Sequence, residues 1–510
     1  MSCAKQSGLR ALAVLSAIAF LASCGGGDSA SPVPAPVPSP GPAPSPGPAP
    51  GPAPAPAPAP APGVDTEAPT VALTGPSNFA SGLVGVLGVT ATATDNVGVT
   101  GVEFQIDGAP LGGTLVAPPF AASLDTTAYA SGQHVVRVRA SDAAGNVSAW
   151  QSATVQFGGT RTQPAGFTRT TWVSGLTSAT AMAQAPDGRV FVAEQAGALR
   201  VVNSAGTLLT TPATQLTVDS NGERGLLGIA LDPAFASNGY IYLYYTTPVG
   251  GVHNRISRFT LVPPSSNVVS SGSELILMEL PALSSLTNHN GGALHFGVDG
   301  KLYVGVGDNA NGSNAQDSST RLGKMLRINA DGTIPGDNPF FATLTGDNRS
   351  IWATGLRNPF TFAVQPGTGK IYINDVGQSL WEEIDLGVSG ANYGWPSTEG
   401  PTNAPGVTAP VFAYNHNAAS PEGSGPGGFF TGTAIIGGAF YPDSGSFPAI
   451  YRGSYFFADL GTQFVARYDS ANNAAYSFGV VGDSPVGMLV GNDGALYVLG
   501  LNSIVRFSSP

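Results

Sequence analysis

TNHNGGALHFGVDGKLYVGVGDNAN, Thr287 to Asn311, holds the pattern that decides the fold. Its centre, Val298-Asp299-Gly300 followed by Lys301-Leu302-Tyr303-Val304, reads as a tight turn entering a strand of alternating polar and apolar residues. The same phrase, an x-Gly turn and then x-apolar-aromatic-apolar, recurs as PDGRVFVAE at Pro186, SNGYIYLYY at Ser237, GTGKIYIND at Gly367, YRGSYFFAD at Tyr451 and NDGALYVLG at Asn492. These repeats at uneven spacing predict a six-bladed β-propeller whose long inter-blade loops carry any site. The competing expectation is a large irregular sandwich, but turn-and-strand phrases repeated along the chain are the signature of radial repetition.

In the same stretch His289 precedes one strand and Asp308 follows the next, so two adjacent antiparallel strands return both residues to one sheet edge. An imidazole held by a carboxylate is a base near neutral pH, able to take a proton from a substrate hydroxyl. Taken alone the pair also has a plainer reading, in which His289 caps a turn and Asp308 solvates a loop.

Outward from this stretch the composition sets bounds. A charged fraction of 10% with 69 Gly and 43 Pro predicts a β-rich, turn-rich protein with low-complexity linker. A net charge of -11 without any basic block argues against nucleic acid as a partner. Lys5 and Arg10 ahead of the apolar run Ala11 to Leu21 form an export signal, its apolar part too short to span a bilayer. Leu21-Ala22-Ser23-Cys24-Gly25 resembles a bacterial lipobox, which makes 1–23 a lipoprotein signal peptide and Cys24 the lipidation site. The only other cysteine, Cys3, lies in the segment removed, so no disulfide is expected. Acyl chains on Cys24 would hold the protein at the bacterial cell envelope, at the outer membrane or facing the periplasm, without a transmembrane helix.

Residues 24–63 are dominated by Pro, Ala, Gly and Ser, a composition that buries no core and favours polyproline II. At about 3.1 Å per residue its Pro-x-Pro-x part, Ser31 to Gly63, reaches roughly 100 Å if stiff, so it reads as a spacer. Residues 64–158 show short alternating runs between turns, such as Val102-Glu103-Phe104-Gln105-Ile106 and His134-Val135-Val136-Arg137-Val138. With the phrases ATATDNVGVTGVEFQIDG and HVVRVRASDAAGNVS they resemble bacterial immunoglobulin-like domains. Without clustered His, Cys or carboxylates in sequence, this domain is assigned to spacing or glycan contact. The expected architecture is therefore all-β: an N-terminal immunoglobulin-like β-sandwich, a short connector, and the propeller over 165–510.

Within the propeller ERGLLGIALDPAF (Glu223 to Phe235), NHNGGALHFGVDGKLYVGVGD (Asn288 to Asp308), GLRNPF (Gly355 to Phe360), INDVGQSLWEEIDLGVSGANYGWP (Ile373 to Pro396) and FPAIYRGSYFFAD (Phe447 to Asp459) occur in order. Together they resemble the glucose/sorbosone dehydrogenase family, six-bladed propellers that use pyrroloquinoline quinone (PQQ) and Ca2+. The resemblance implies that His289 is the base that takes the proton of a sugar's anomeric hydroxyl while hydride passes to the quinone, yielding the lactone, and that Asp308 orients it. It implies that Arg357 and Asn358 hold the quinone oxygens, with Glu223 beside the cofactor. Backbone carbonyls of Gly377 and Gln378 are the implied calcium ligands, and the partners are a small sugar and an external electron acceptor. Glu382, Glu383 and the turn Asn392 to Pro396 are expected to pack the blade.

Two departures from the pattern are visible. Glu223 stands where the best-known soluble glucose dehydrogenases carry glutamine. The stretches where those enzymes hold the quinone carboxylates with Lys and Arg read Phe440-Tyr441-Pro442 and Asp459-Leu460-Gly461-Thr462. Glu223 is expected to weaken cofactor binding unless Arg224 or calcium compensates, and Arg321, Lys324, Arg327 and Arg452 are the cations on nearby loops that could substitute for the clamp. The alternative implied by these departures is a non-catalytic propeller that binds carbohydrate or protein at the cell surface, as in the hedgehog-interacting proteins that share the domain. A calcium-dependent lactonase would need a ring of carboxylates and amides around the central channel, and no such ring stands out. If Cys24 bears the anchor, Cys24→Ser should move the protein from the membrane fraction to the soluble fraction on ultracentrifugation, with an unchanged melting profile.

Overall fold

A computed structural model describes residues 65–417 and 427–510. The signal segment, Cys24 and the stretch 24–63 lie outside these residues. The first described domain is a seven-stranded sandwich. Thr70–Gly75, Val86–Thr94 and Phe120–Asp125 form one sheet, and Val99–Ile106, Ala109–Pro110, Gly132–Asp142 and Gln151–Phe157 form the other. Alternate residues of the two sheets, among them Val89, Val102, Phe104, Val136, Val138 and Val155, fill the space between them.

Six four-stranded antiparallel sheets follow, which we label blades I to VI. The repeated phrase supplies the second strand of every blade: Val190–Glu194, Tyr240–Thr247, Leu302–Val306, Ile371–Asp375, Tyr455–Asp459 and Leu496–Gly500. In each preceding turn the glycine has φ between +65° and +88°, a conformation that costs residues bearing a Cβ and is free to glycine. Two of the turns share a further device. Asp299 accepts the Lys301 N–H and the Tyr303 hydroxyl, and Asp493 accepts the Ala495 N–H and the Tyr497 hydroxyl. The alternation expected from Lys301 to Val304 does not persist along the strand. All of Leu302–Val306 is buried, because both faces of a blade's second strand are covered by neighbouring blades.

Closure joins the two ends of the propeller: Thr168–Ser174 pairs antiparallel with Ser503–Ser508 as the outer strand of blade VI. The inner strands of all six blades surround a constricted cavity of ≈ 50 Å3, lined by Met182, Leu227, His295, Phe362, Gly437 and Met488 among others. His295 lies edge-on to Phe362, ring centroids 4.8 Å apart, and burial among the inner strands pushes its pKa down to about 4. The ring is enclosed by the six blades and yet keeps an exposed face, which lines this lumen.

The sandwich is docked on blade V. Arg467, 1% exposed, donates to the Asp107 carbonyl at 2.5 Å and to Ser454 Oγ at 3.2 Å, and its guanidinium lies 4.3 Å from the Tyr476 ring centre. Gln133 donates to the Ala475 carbonyl and accepts the Phe429 N–H. Asp107 also receives His134 Nδ1 at 2.6 Å, a buried pair just behind the contact. The expectation that carboxylates do not cluster in this domain is overturned. Asp65, Asp95 and Asp142, the last of these at the end of strand Gly132–Asp142, bring carboxylate oxygens within 4.8 Å of one another. Each accepts N–H groups of nearby residues, and Asn96, next to Asp95, also donates to Asp65.

Arg467→Leu should leave the Asp107 carbonyl unpaired and destabilise the two-domain body by roughly 2–4 kcal/mol. Urea unfolding followed by tryptophan fluorescence would measure it, and faster protease cleavage within 158–165 should accompany it.

Candidate active site

The stretch from Thr287 to Asn311 folds as its pattern requires. Leu294–Phe296 pairs with Leu302–Val306, and beyond the strands the Asn309 N–H donates to the His289 carbonyl at 3.1 Å. The two ends of the segment therefore meet at one edge of blade III. His289 has φ +57°, an unusual conformation for a residue with a Cβ and one that costs about 1 kcal/mol or more. Glu223 offsets part of that cost: its Oε2 accepts the His289 N–H at 2.7 Å. The side-chain contact of Glu223 is thus with the backbone of the base.

His289 Nδ1 lies 2.7 Å from Asp308 Oδ1. A carboxylate only accepts, so the neutral ring must carry its proton on Nδ1 and leave the Nε2 lone pair open. Asp308 is 1% exposed, and its other oxygen, Oδ2, accepts the indole N–H of Trp395 at 2.8 Å. The Asp308 N–H in turn donates to the Arg357 carbonyl at 2.8 Å, which ties this dyad to the Gly355 to Phe360 stretch.

Arg357 and Asn358 sit on a turn clamped by Asp375, the last residue of blade IV's second strand. Asp375 Oδ2 accepts the Arg357 N–H at 2.9 Å and Oδ1 the Asn358 N–H at 2.6 Å. Burial pushes Asp375 up to about 7, against the pull of those two donors. The Arg357 guanidinium is held by Gln378 Oε1 on Nε and on one terminal nitrogen (2.9 and 2.7 Å) and by the Val376 carbonyl on the other (2.8 Å). A guanidinium has five N–H groups, so two remain for a ligand. Asn358 Oδ1 accepts the Gly291 N–H at 3.0 Å, which couples the Arg-Asn turn to the loop bearing His289.

Gly377 and Gln378 lead a loop whose next four N–H groups, of Gln378, Ser379, Leu380 and Trp381, all converge on Glu399 Oε1 at 2.9 to 3.1 Å. Burial works to raise the pKa of Glu399, and these donors outweigh it and hold it low. In a trans peptide the carbonyl points opposite to the N–H, so Gly377 and Gln378 must direct their carbonyls away from Glu399. Neither carbonyl has a partner among the described residues. A Cβ on Gly377 would stand 1.6 Å from the Trp381 carbonyl, so no other residue fits there. Two unpartnered neutral oxygens on a fixed loop suit a hard cation such as Ca2+.

The cations expected to compensate are engaged elsewhere. Arg224 pairs with Asp219 and donates to the Ser284 and Leu286 carbonyls. Arg321 pairs with Asp347. Arg327 is held by Asp299, Asp337 and Asn338. Arg452 donates to the Phe447 carbonyl. Lys324 is buried under three carbonyls, those of Asn314, Ala315 and Leu322, and burial pushes it down to about 8. In the stretch Asp459 to Thr462, where the resemblance implied a basic residue, Asp459 instead collects the N–H groups of Thr433, Ala434, Gly461 and Thr462.

The stretch from Asn392 to Pro396 does more than pack the blade, since it brings Trp395 onto Asp308. Glu382 and Glu383 are structural as expected: Glu382 accepts the Ile435 N–H and faces His416, and Glu383 accepts the Gly400 N–H. Burial, with the charge of Asp375, pushes Glu383 up to about 8. On the same strand Asp385 is fully buried, and neither oxygen has a partner among the described residues. Burial first, and then the charges of Glu383 and Asp375, raise it well above the ordinary carboxylate range.

Comparison with known proteins bears on this geometry. The model of the Glucose / Sorbosone dehydrogenase family matches residues 176–503, and that of the Bacterial Ig domain matches residues 69–138. The quinoprotein glucose dehydrogenase B of Acinetobacter calcoaceticus is 31% identical over 277 residues, 49% of this chain and 55% of that protein. The aldose sugar dehydrogenase YliI of Escherichia coli is 32% identical over 209 residues, 40% of this chain and 55% of that protein. The chain spans about half the length of these curated relatives. The crystal structure of the soluble aldose sugar dehydrogenase of Escherichia coli in its apo-form superposes with a TM-score of 0.58 at 26% identity, covering 68% of this chain and all of that one.

Asp385 makes the stability of this region depend on pH. Below the ordinary carboxylate pKa of 3.8 the side chain is protonated both folded and unfolded. Above it the unfolded chain releases the proton and the folded one does not, so stability falls as pH rises. Asp385→Asn should make the decline in melting temperature that sets in as pH rises above 3.8 shallower, leaving the part owed to Asp375 and Glu383, whatever its effect at the acid end, as calorimetry over a pH series would measure.

Proposed function

The chain belongs to the Glucose / Sorbosone dehydrogenase family, and we propose that it oxidises the anomeric hydroxyl of an aldose to the lactone, with PQQ and Ca2+ as cofactors, at the bacterial cell envelope, where Cys24 anchors it. The observation that carries this reading is the joining of His289-Asp308 to Arg357-Asn358 by backbone and side-chain hydrogen bonds. A proton acceptor and a fixed positive charge thus belong to one rigid unit, the pair of functions that oxidation of an alcohol requires.

His289 Nε2 would take the proton of the sugar hydroxyl. Asp308 holds the ring in the tautomer that leaves this nitrogen open and steadies the imidazolium that results. Arg357 would stabilise negative charge developing on the cofactor oxygens, since its guanidinium keeps its proton throughout and already lies in place. The Gly377 and Gln378 carbonyls would hold the calcium. When bound, the quinone supplies the acceptor for the hydride. The residues present fit that reacting end: two unused guanidinium N–H groups, an open imidazole nitrogen and two unpartnered carbonyls.

A second reading, a non-catalytic propeller that binds carbohydrate or protein, draws support from the engagement of Arg321, Lys324, Arg327 and Arg452 with their own neighbours. Reconstitution separates the two. The protein incubated with PQQ and Ca2+ should reduce an artificial dye across a panel of aldoses, and a binder would reduce none. His289→Ala should retain PQQ binding, measured by fluorescence quenching, and lose turnover on the order of 10²-fold. Arg357→Ala should instead weaken PQQ binding.

A further inference from the structure

Trp395 reaches the base dyad from another blade. Its indole N–H donates to Asp308 Oδ2 at 2.8 Å while Oδ1 takes His289 Nδ1 at 2.7 Å, so each carboxylate oxygen has its own donor. Rotation of the carboxylate about Cβ–Cγ would break both bonds at once. The indole is itself held. Its backbone N–H donates to the Gly355 carbonyl at 3.0 Å, its carbonyl accepts Gln316 Nε2 at 2.7 Å, and the Asn392 and Gln316 amides exchange two hydrogen bonds of 2.9 Å. Its ring centre lies 5.7 Å from the Arg357 guanidinium carbon. An indole N–H only donates and does not titrate, so it can serve only an acceptor, which Asp308 must be for His289 to keep its proton on Nδ1.

We propose that Trp395 is a positioning residue of this site: by fixing the far oxygen of Asp308 it holds His289 as the Nδ1–H tautomer with Nε2 open. The proposal rests on the reading of His289 as the base. The other charged groups around the pair act from different sides: Glu223 on the His289 N–H, Arg357 through its backbone carbonyl, and Lys324 and Asp375 near enough to interact with the charge of Asp308. None of them donates a side-chain hydrogen bond to Asp308 Oδ2, so the indole has no substitute among the described residues.

Trp395→Phe keeps an aromatic ring beside Arg357 and deletes only the N–H. With PQQ and Ca2+ present, kcat should fall about tenfold while KM for the aldose changes less than about twofold. In the protein without cofactor, nitrogen-15 spectra of labelled histidine should show the His289 ring passing from one tautomer to a mixture. A melting curve establishes that the variant folds. If it does not fold, the test passes to Asp308→Asn, in which the Trp395 indole proton resonance should shift upfield. An unchanged His289 tautomer in Trp395→Phe, or an indole resonance indifferent to Asp308→Asn, overturns the proposal. If both spectral changes appear and the wild type oxidises no aldose, Trp395 still positions the dyad and the assignment of the reaction fails.

Discussion

The pairing of Thr168–Ser174 with Ser503–Ser508 is the constraint on which the rest depends. A propeller blade cannot stand alone, because its second strand is apolar on both faces and needs a neighbour on each. Five such neighbours arise along the chain, but the sixth requires the ring to close. Once it has closed, the inner strands are locked around a narrow lumen and the loops at the blade ends have fixed positions. His289 can then hold a left-handed conformation, and Glu223 can reach it from blade II, because neither blade shifts against the other.

Carboxylates do most of the positioning at the site, and they do it as acceptors of N–H groups. Asp375 gathers the turn bearing Arg357, Glu399 gathers the loop after Gly377, Glu223 caps His289, and Asp308 is shared between imidazole and indole. An acid used in this way keeps its charge close to donors and does not repel a negatively charged ligand as a free anion would. The extra charge at Glu223 is for this reason less hostile to a tricarboxylate cofactor than its replacement of glutamine suggests.

The blade count was legible because each blade announces itself with a glycine turn and an aromatic strand, a local signal that needs no partner. The His289-Asp308 pair was legible too, since both members flank one hairpin. The other contributors were not. Trp395 is distant in sequence from Asp308, and the acceptors Asp375 and Glu399 serve residues about twenty positions away, separations at which no periodicity survives. The docking of the sandwich was likewise hidden, since Arg467 and Asp107 belong to different domains and neither stands in a motif. The sequence also could not show that Arg321, Lys324, Arg327 and Arg452 were engaged, because their carbonyl and carboxylate partners come from folded loops.

Ring closure has a consequence for the order of events during synthesis. The strand 168–174 leaves the ribosome ahead of all six blades' second strands and its partner 503–508 only after them, so the unsatisfied edge persists through nearly all of the propeller's translation. An open edge of that kind is an invitation to pair with another nascent chain. The sandwich ahead of it builds its core from its own seven strands and can fold before blade V, on which it later docks, has been made, and the strand follows directly from it through 158–165. A completed domain therefore stands beside the waiting edge as a bulky neighbour, limiting what can approach until strand 503–508 arrives.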